Sequence, residues 1–232
     1  IGPRCSDMFE YTGRLAQLID HTLVRPEATL DDLAAACADA KRHHFASLVV
    51  SPWLAGLGRA KAALEGSGVK LGVVVGFPHG ATTTTVKIFE AMEAIKNGAE
   101  ELDIVLNLGM VRAGRFDLCE IDIKNVITMS KGVLHKVIVE TGSLSQAELP
   151  EACRIAVRAG AEFIKTSTGY GPRGATVDDI RAIRSVVGSA CRIKASGGIR
   201  DLAAVKALAD AGAERIGTSA GPEIMQEFLK SR

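Results

Sequence analysis

Eight short apolar runs, rich in β-branched residues, alternate along this chain with alanine-rich amphipathic segments, and no linker or change of composition interrupts them. The runs fall at 19–23, 46–50, 71–77, 102–106, 136–141, 163–167, 192–196 and 215–218. Helical periodicity falls at 29–43, 53–65, 83–97, 115–131, 145–159, 176–187 and 201–210, with a last helix from Pro222. Regular alternation of this kind predicts parallel strands, and eight units in 232 residues predict a TIM (β/α)8 barrel in a single domain. An open doubly wound sheet is the competing fold, but no G-x-G-x-x-G follows the first run. The near-repeat of Ala159-Gly-Ala-Glu162 in Ala211-Gly-Ala-Glu214, and Asn97-Gly-Ala-Glu100 before the fourth run, marks one βα unit used repeatedly. Residues 1–9 read as a loose tail, 10–232 as the barrel, and 10–18 as an extra N-terminal helix over the barrel floor.

Two lysines occupy matching places in this pattern. Lys165 in Glu162-Phe-Ile-Lys165-Thr-Ser-Thr-Gly169 and Lys194 in Arg192-Ile-Lys194-Ala-Ser-Gly-Gly198 each lie on a short apolar strand running into a glycine turn. On neighbouring parallel strands both ammonium groups would point into one cavity. At ~5 Å and an effective dielectric constant of ~20 they would repel by ~3 kcal/mol, enough to lower one of them by ~2 pH units from the ordinary lysine value near ~10.4. Desolvation acts in the same direction. A lysine freed of its proton in a partly apolar site attacks carbonyls to form a Schiff base. A single strand lysine reads more simply as a salt-bridge partner, but one carboxylate cannot neutralise two cations.

Asp103, in Glu101-Leu-Asp103-Ile-Val-Leu-Asn107, shares the inward face with Val105 and Asn107 under the period-two rule, while Leu102, Ile104 and Leu106 face the helices. An interior aspartate needs a cation, and this one could pass protons to and from a reacting carbon, directly or through water. Asp20, in Ile19-Asp20-His-Thr22-Leu, reads as a supporting hydrogen-bond partner. The loops expected after strands seven and eight, Ser196-Gly197-Gly198 and Thr218-Ser219-Ala220-Gly221-Pro222, suit an anion, and Gly169 adds a possible further wall.

Other readings narrow the class. Net charge is +1, which gives no reason to expect a nucleic-acid partner or an anionic membrane, and no apolar run reaches the ~20 residues of a spanning helix. Five scattered cysteines without a C-x-x-C pair fit reduced thiols in a cytoplasmic protein. His21, His79 and His135 lack the spacing of a metal site. His43-His44 fits charge compensation at a helix C-terminus, and Thr82 to Thr85 a helix cap.

The segments Ile19-Asp-His-Thr-Leu23, Gly76-Phe-Pro-His-Gly80, Glu101-Leu-Asp-Ile-Val105, Val137-Ile-Val-Glu-Thr-Gly142, Phe163-Ile-Lys-Thr-Ser-Thr-Gly169 and Lys194-Ala-Ser-Gly-Gly-Ile-Arg200 together resemble the deoxyribose-phosphate aldolases, class I aldolases. The resemblance runs from about Leu15 to Gly221 in the family's motif order. It implies Lys165 as the Schiff-base nucleophile, Lys194 as the lysine that depresses its pKa and aids proton transfer, Asp103 as the proton-transfer carboxylate, and Asp20 in support. It implies substrate and phosphate binding by Thr22, Thr168, Gly169, Gly197, Gly198 and Ser219. The implied reaction is reversible cleavage of 2-deoxy-D-ribose 5-phosphate to D-glyceraldehyde 3-phosphate and acetaldehyde, in deoxyribonucleotide catabolism, by a homo-oligomer without metal or organic cofactor. Another Schiff-base sugar-phosphate aldolase and a phosphosugar isomerase are the alternatives. Tyr170, where certain relatives carry a lysine, Ala220 in place of a second serine, and a sequence ending at Arg232 without a terminal tyrosine depart from the family pattern.

Overall fold

The structure, a computed structural model, describes residues 12–231. The tail expected at 1–9 and the start of the helix expected at 10–18 lie outside the described residues. Strands β1 (Ile19–Leu23), β2 (Ser47–Val50), β3 (Lys70–Val75), β4 (Glu101–Val105), β5 (Leu134–Ile138), β6 (Phe163–Lys165), β7 (Arg192–Ser196) and β8 (Arg215–Thr218) form a closed parallel barrel in sequence order. Pairing of β1 with β8 closes it, with Asp20 opposite Gly217. The barrel is thus the TIM fold that the alternation implied, and no sheet edge is left open.

Helix α1 (Thr12–Ala16) precedes β1 at the N-terminal end of the barrel. Outside the strands follow α2 (Leu30–His43), α3 (Pro52–Ala55), α4 (Arg59–Leu64), α5 (Thr84–Lys96), α6 (Leu108–Arg112), α7 (Phe116–Met129), α8 (Glu148–Ala159), α9 (Val177–Val187), α10 (Leu202–Asp210) and α11 (Gly221–Lys230). α1 packs against α11 and buries Leu15 and Ala16. Capping boxes start α2 and α9: Thr29 and Thr176 accept from the N–H groups of Asp32 and Asp179, whose carboxylates accept in return. Thr83 caps α5 within the threonine run, and His44 ends α2 in the left-handed region.

The even strand residues Leu102 and Ile104 join Leu71, Val73, Val137 and Ile193 in the core between barrel and helices. Val49, Val74, Val105, Ile138 and Phe163 are buried but stand apart from that core, filling the barrel interior beside the charged residues.

Some element bounds differ from expectation for local reasons. The helix expected at 53–65 is split, because Gly58 adopts φ 65° between a 3-10 turn and α4. A separate α6 precedes α7, and Asn107, expected to face inward, instead caps α6 by accepting from the Met110 N–H at 3.2 Å. Strand β6 stops at Lys165, two residues early, and β5 ends at Ile138, after which Val139 and Thr141 still donate to the Lys165 and Thr166 carbonyls as the chain enters a turn at Thr141–Ser143.

Candidate active site

In the barrel the strand register decides which side chains meet. β6 and β7 pair with Lys165 directly opposite Lys194, and β4 and β5 with Asp103 opposite Lys136. Lys165 and Lys194 both donate to Oδ2 of Asp103, at 2.9 and 2.8 Å. Lys194 Nζ also lies 2.5 Å from Asp20 Oδ2, an ion contact rather than a directed hydrogen bond. Asp20 Oδ1 accepts from Ser47 Oγ at 2.7 Å and from Arg215 Nε at 2.6 Å. The structure therefore places all four residues that the resemblance marks for chemistry in one connected cluster.

It also adds three that the sequence reading passed over. Lys136 donates to Glu101 Oε2 at 2.5 Å and to Asp103 Oδ1 at 2.9 Å, and Arg215 Nη2 donates to Glu101 Oε2 at 2.9 Å. Lys136 and Lys194 are 0% exposed and Lys165 is 2% exposed. Lys136, Lys165, Lys194 and Arg215 carry four formal positive charges against the three negative charges of Asp20, Glu101 and Asp103. The interior is balanced when one amine is neutral. A buried net charge is costly, and a titratable group relieves it by giving up its proton.

Lys165 is the amine that does so. Burial lowers it first; the Asp103 carboxylate opposes, and the Lys194 and Lys136 cations lower it further, leaving it at about 8. The sequence argument placed the repulsion from Lys194 first; in the structure desolvation leads and two cations add to it. Lys136 moves the other way, because burial is overcome by Asp103, Asp20 and Glu101, which hold its proton above the ordinary lysine range. Burial would raise Asp103, but Lys136, Lys165 and Lys194 hold its carboxylate well below the usual range. Asp20 is likewise held low by Lys194, Lys136 and Arg215 against its own desolvation.

Above Lys165 a cavity of about 470 Å³ opens at the C-terminal ends of the strands. Thr22 in β1 and Arg25 after it line the cavity, with Thr168, Gly169 and Tyr170 after β6, Gly197, Gly198 and Arg200 after β7, and Thr218 and Ser219 at β8. Lys165 is the one buried lysine of the cluster that reaches this cavity; Lys194, Asp103 and Asp20 lie behind it. Phe77, in the loop after β3, sets its ring centroid 6.0 Å from Lys165 Nζ and meets Tyr170 edge to face at 5.6 Å. The Tyr170 hydroxyl donates to the Val24 carbonyl at 3.3 Å, so aromatic groups wall the amine on one side.

The cavity's other end suits an anion. Gly169, Gly198 and Ser219 make no hydrogen bond to other described residues, and Arg200 makes no ion pair among them. Gly169 and Gly198 stand at φ 90° and 76°, a region that lets their backbone approach a ligand without a side chain in the way. Arg25, by contrast, is tied to Asp32 at 2.5 Å. Two expected binding residues are already engaged: Thr22 Oγ1 donates to the Asp20 carbonyl at 2.9 Å, and Thr168 donates both its N–H and its hydroxyl to Glu140. The three histidines weighed as metal ligands are dispersed: His21 packs on Phe45, His79 is exposed after β3, and His135 pairs with Ser130 at 2.9 Å.

Comparison with known proteins agrees with this geometry. A family profile described as DeoC/LacD family aldolase matches residues 14–227. A deoxyribose-phosphate aldolase of Caldanaerobacter subterraneus subsp. tengcongensis is 45% identical over 219 residues, 93% of this chain and 94% of that protein. One from Halalkalibacterium halodurans is 47% identical over 212 residues, 91% and 94% of the two chains. Among solved structures, a tetrameric deoxyribose phosphate aldolase from Aeropyrum pernix superposes with a TM-score of 0.91 at 30% identity, covering 98% of this chain and 96% of its own.

Proposed function

We propose that this chain, which belongs to the DeoC/LacD aldolase family, is a deoxyribose-phosphate aldolase in which Lys165 is the nucleophile. The substrate is the open-chain form of 2-deoxy-D-ribose 5-phosphate, and the products are D-glyceraldehyde 3-phosphate and acetaldehyde. The observation that carries the assignment of roles is the single oxygen of Asp103 shared by Lys165 and Lys194 inside a cluster with one positive charge too many.

Neutral Lys165 attacks C1, and loss of water with uptake of one proton from solvent gives a protonated imine. That intermediate restores the excess charge to the interior, so the electron pair of the breaking C2–C3 bond is drawn onto the nitrogen, while the C3 hydroxyl proton leaves to Asp103 or to water held by it. The resulting enamine is neutral, and the cluster is balanced again once Asp103 has passed that proton to solvent. The electrostatics that free the amine therefore also favour C–C cleavage over the iminium ground state. D-glyceraldehyde 3-phosphate departs, the enamine takes a proton at C2, and water releases acetaldehyde from Lys165. Asp103 is held far below the usual carboxylate range, so it passes a proton on rather than keeping it.

The phosphate is assigned to the far end of the cavity. There the N–H groups of Gly169, Gly198 and Ser219 and the Ser219 hydroxyl make no hydrogen bond among the described residues, and Arg200 supplies a cation. A small sugar phosphate fits the cavity's size and polarity. The same reading extends to a homo-oligomer acting in the cytoplasm. Support comes from the relative described as tetrameric, from Phe89 and Ile121 exposed on α5 and α7, and from the free buried thiols of Cys37, Cys119, Cys153 and Cys191.

Borohydride reduction in the presence of acetaldehyde, followed by peptide mass mapping, tests the nucleophile. The expected result is a stable two-carbon adduct on Lys165 that is absent from Lys165→Leu, with acetaldehyde released from 2-deoxy-D-ribose 5-phosphate by the unmodified protein. An adduct on another lysine, or no acetaldehyde, would refute the assignment.

A further inference from the structure

Glu140, two residues beyond β5, is held in a way that the barrel itself does not require. It is 4% exposed and sits at φ 54°, ψ 65°, the left-handed region that L-residues rarely enter. Its Oε2 accepts the Thr168 N–H at 3.2 Å and, in a very short bond, the Thr168 hydroxyl. Thr168 Oγ1 in turn accepts the Tyr170 N–H at 3.0 Å. Glu140 Oε1 is buried without a hydrogen-bond partner among the described residues. The loop presses so closely on the carboxylate that a Cβ at Gly171 would lie 2.7 Å from Glu140 Cδ. An unfavourable backbone conformation and a carboxylate oxygen unpaired among the described residues thus occur at one residue, and both are tied to the turn that follows Lys165.

We infer that Glu140 is a positioning residue that decides which N–H of this turn meets the phosphate. With Glu140 Oε2 accepting, the Thr168 hydroxyl donates to it and keeps its lone pairs for the Tyr170 N–H. The N–H groups of Thr168 and Tyr170 are thereby engaged on the protein side, and of the three consecutive donors that of Gly169 alone has no partner among the described residues and is left for a ligand. Gly169 lies between the two fixed residues at φ 90° on the cavity wall. The role concerns recognition of the phosphate and not formation of the Schiff base, since the Glu140 carboxylate bonds to Thr168 and, among the described residues, not to Lys165, Lys194 or Asp103. It rests on the reading of this end of the cavity as the phosphate site.

The test compares 2-deoxyribose 5-phosphate with unphosphorylated 2-deoxyribose in Glu140→Ala. The KM for the phosphorylated sugar should rise at least about tenfold with kcat little changed, while kcat/KM for the unphosphorylated sugar stays within about threefold. Glu140→Gln should restore most of the loss, because both bonds go to one oxygen that an amide carbonyl can replace. Thr168→Val breaks the relay at its middle and should show the same selective rise even if Glu140→Ala does not fold. Equal losses on both sugars, an unchanged KM in either folded variant, or a Gln variant as impaired as Ala would overturn the inference. Calorimetric titration with inorganic phosphate separates it from the functional reading. If the unmodified protein cleaves the sugar and Glu140→Ala binds phosphate equally well, only the role of Glu140 falls. If the unmodified protein binds phosphate but releases no acetaldehyde, the aldolase reading falls, and weaker phosphate binding by Glu140→Ala still supports the positioning role.

Discussion

Lys165 and Lys194 are register partners on adjacent parallel strands and donate to the same carboxylate oxygen, which brings their nitrogens to within about 6 Å of each other. At that range, in a cluster with more cations than anions, the proton of the lysine that reaches the cavity is the one most readily lost. The consequences reach stability as well as chemistry.

Lys165 is lowered to about 8 in the folded protein, against an unfolded value near ~10.4. Below pH 8 its protonated form is disfavoured by folding, and the unfolded chain binds more protons between the two values, so this group makes stability rise with pH across that window. The full effect is about 3 kcal/mol. The buried thiols, pushed up to about 11 or 12 by burial, act in the opposite sense, since their contribution is present below their unfolded value and is lost as pH rises. Denaturant unfolding of the unmodified protein and of Lys165→Met isolates the lysine, because both share the thiols. The stability difference should move in favour of the unmodified protein from pH 8 to 10; a constant difference would count against a depressed lysine.

The carboxylates give the acid limb. Asp103 and Asp20 are held below their unfolded value near ~3.9, so their contribution is complete above it and declines as pH falls further. Lys136→Met breaks the buried ion pairs to Glu101 and Asp103, and a Lys165 that keeps its proton restores the net charge but not those bonds. A loss of about 3–5 kcal/mol at pH 7 is expected, shrinking in acid as the carboxylates protonate. Urea titrations at pH 7 and pH 4 measure both parts, and a loss under about 1 kcal/mol at pH 7 would show that Lys136 is not a needed counter-ion.

Gly217 is a close-approach position. A Cβ there would lie 2.9 Å from Ser196 Cβ and 3.0 Å from Lys194 Cε, so Gly217→Ala must move the Lys194 stem. We expect kcat to fall by about tenfold or more with a smaller change in KM, because Lys194 serves the reacting end of the substrate. Steady-state kinetics with the phosphorylated sugar decides it: a rise in KM alone would place the disturbance at the phosphate.

Tyr170 stands on the cavity wall where a cation would reach the phosphate end. Tyr170→Lys should lower KM for 2-deoxyribose 5-phosphate by about fivefold at low ionic strength, equal to about 1 kcal/mol, and the gain should fade as salt screens it. An unchanged KM at low salt would argue that the residue lies too far from the anion.

Much of the barrel and part of the cluster are legible in the sequence because each depends on a local period. The alternation of runs sets the barrel, and matching places before glycine turns mark Lys165 and Lys194. Lys136 escaped because it opens the run at 136–141 and, unlike Lys165 and Lys194, does not stand just before a glycine turn. The period-two rule would have found it two residues before Ile138, and would have found Glu101 two before Asp103 and Arg215 two before Gly217. Glu140 had no such signal, since its left-handed backbone and its bonds to Thr168 depend on how two loops meet. The extent of β6 was overread for a similar reason: Thr166 and Ser167 have strand character but are drawn into bonds with Ser196.

The most direct measurement is the pH dependence of Schiff-base formation at Lys165, read as the initial rate of borohydride-trapped acetaldehyde adduct in the unmodified protein and in Lys194→Leu. The unmodified protein should reach half its limiting rate near pH 8, and Lys194→Leu should do so about one pH unit or more to the alkaline side, short of an ordinary lysine because burial persists. Coincident midpoints in the two proteins would contradict the claim that neighbouring buried charge sets the reactivity of this amine.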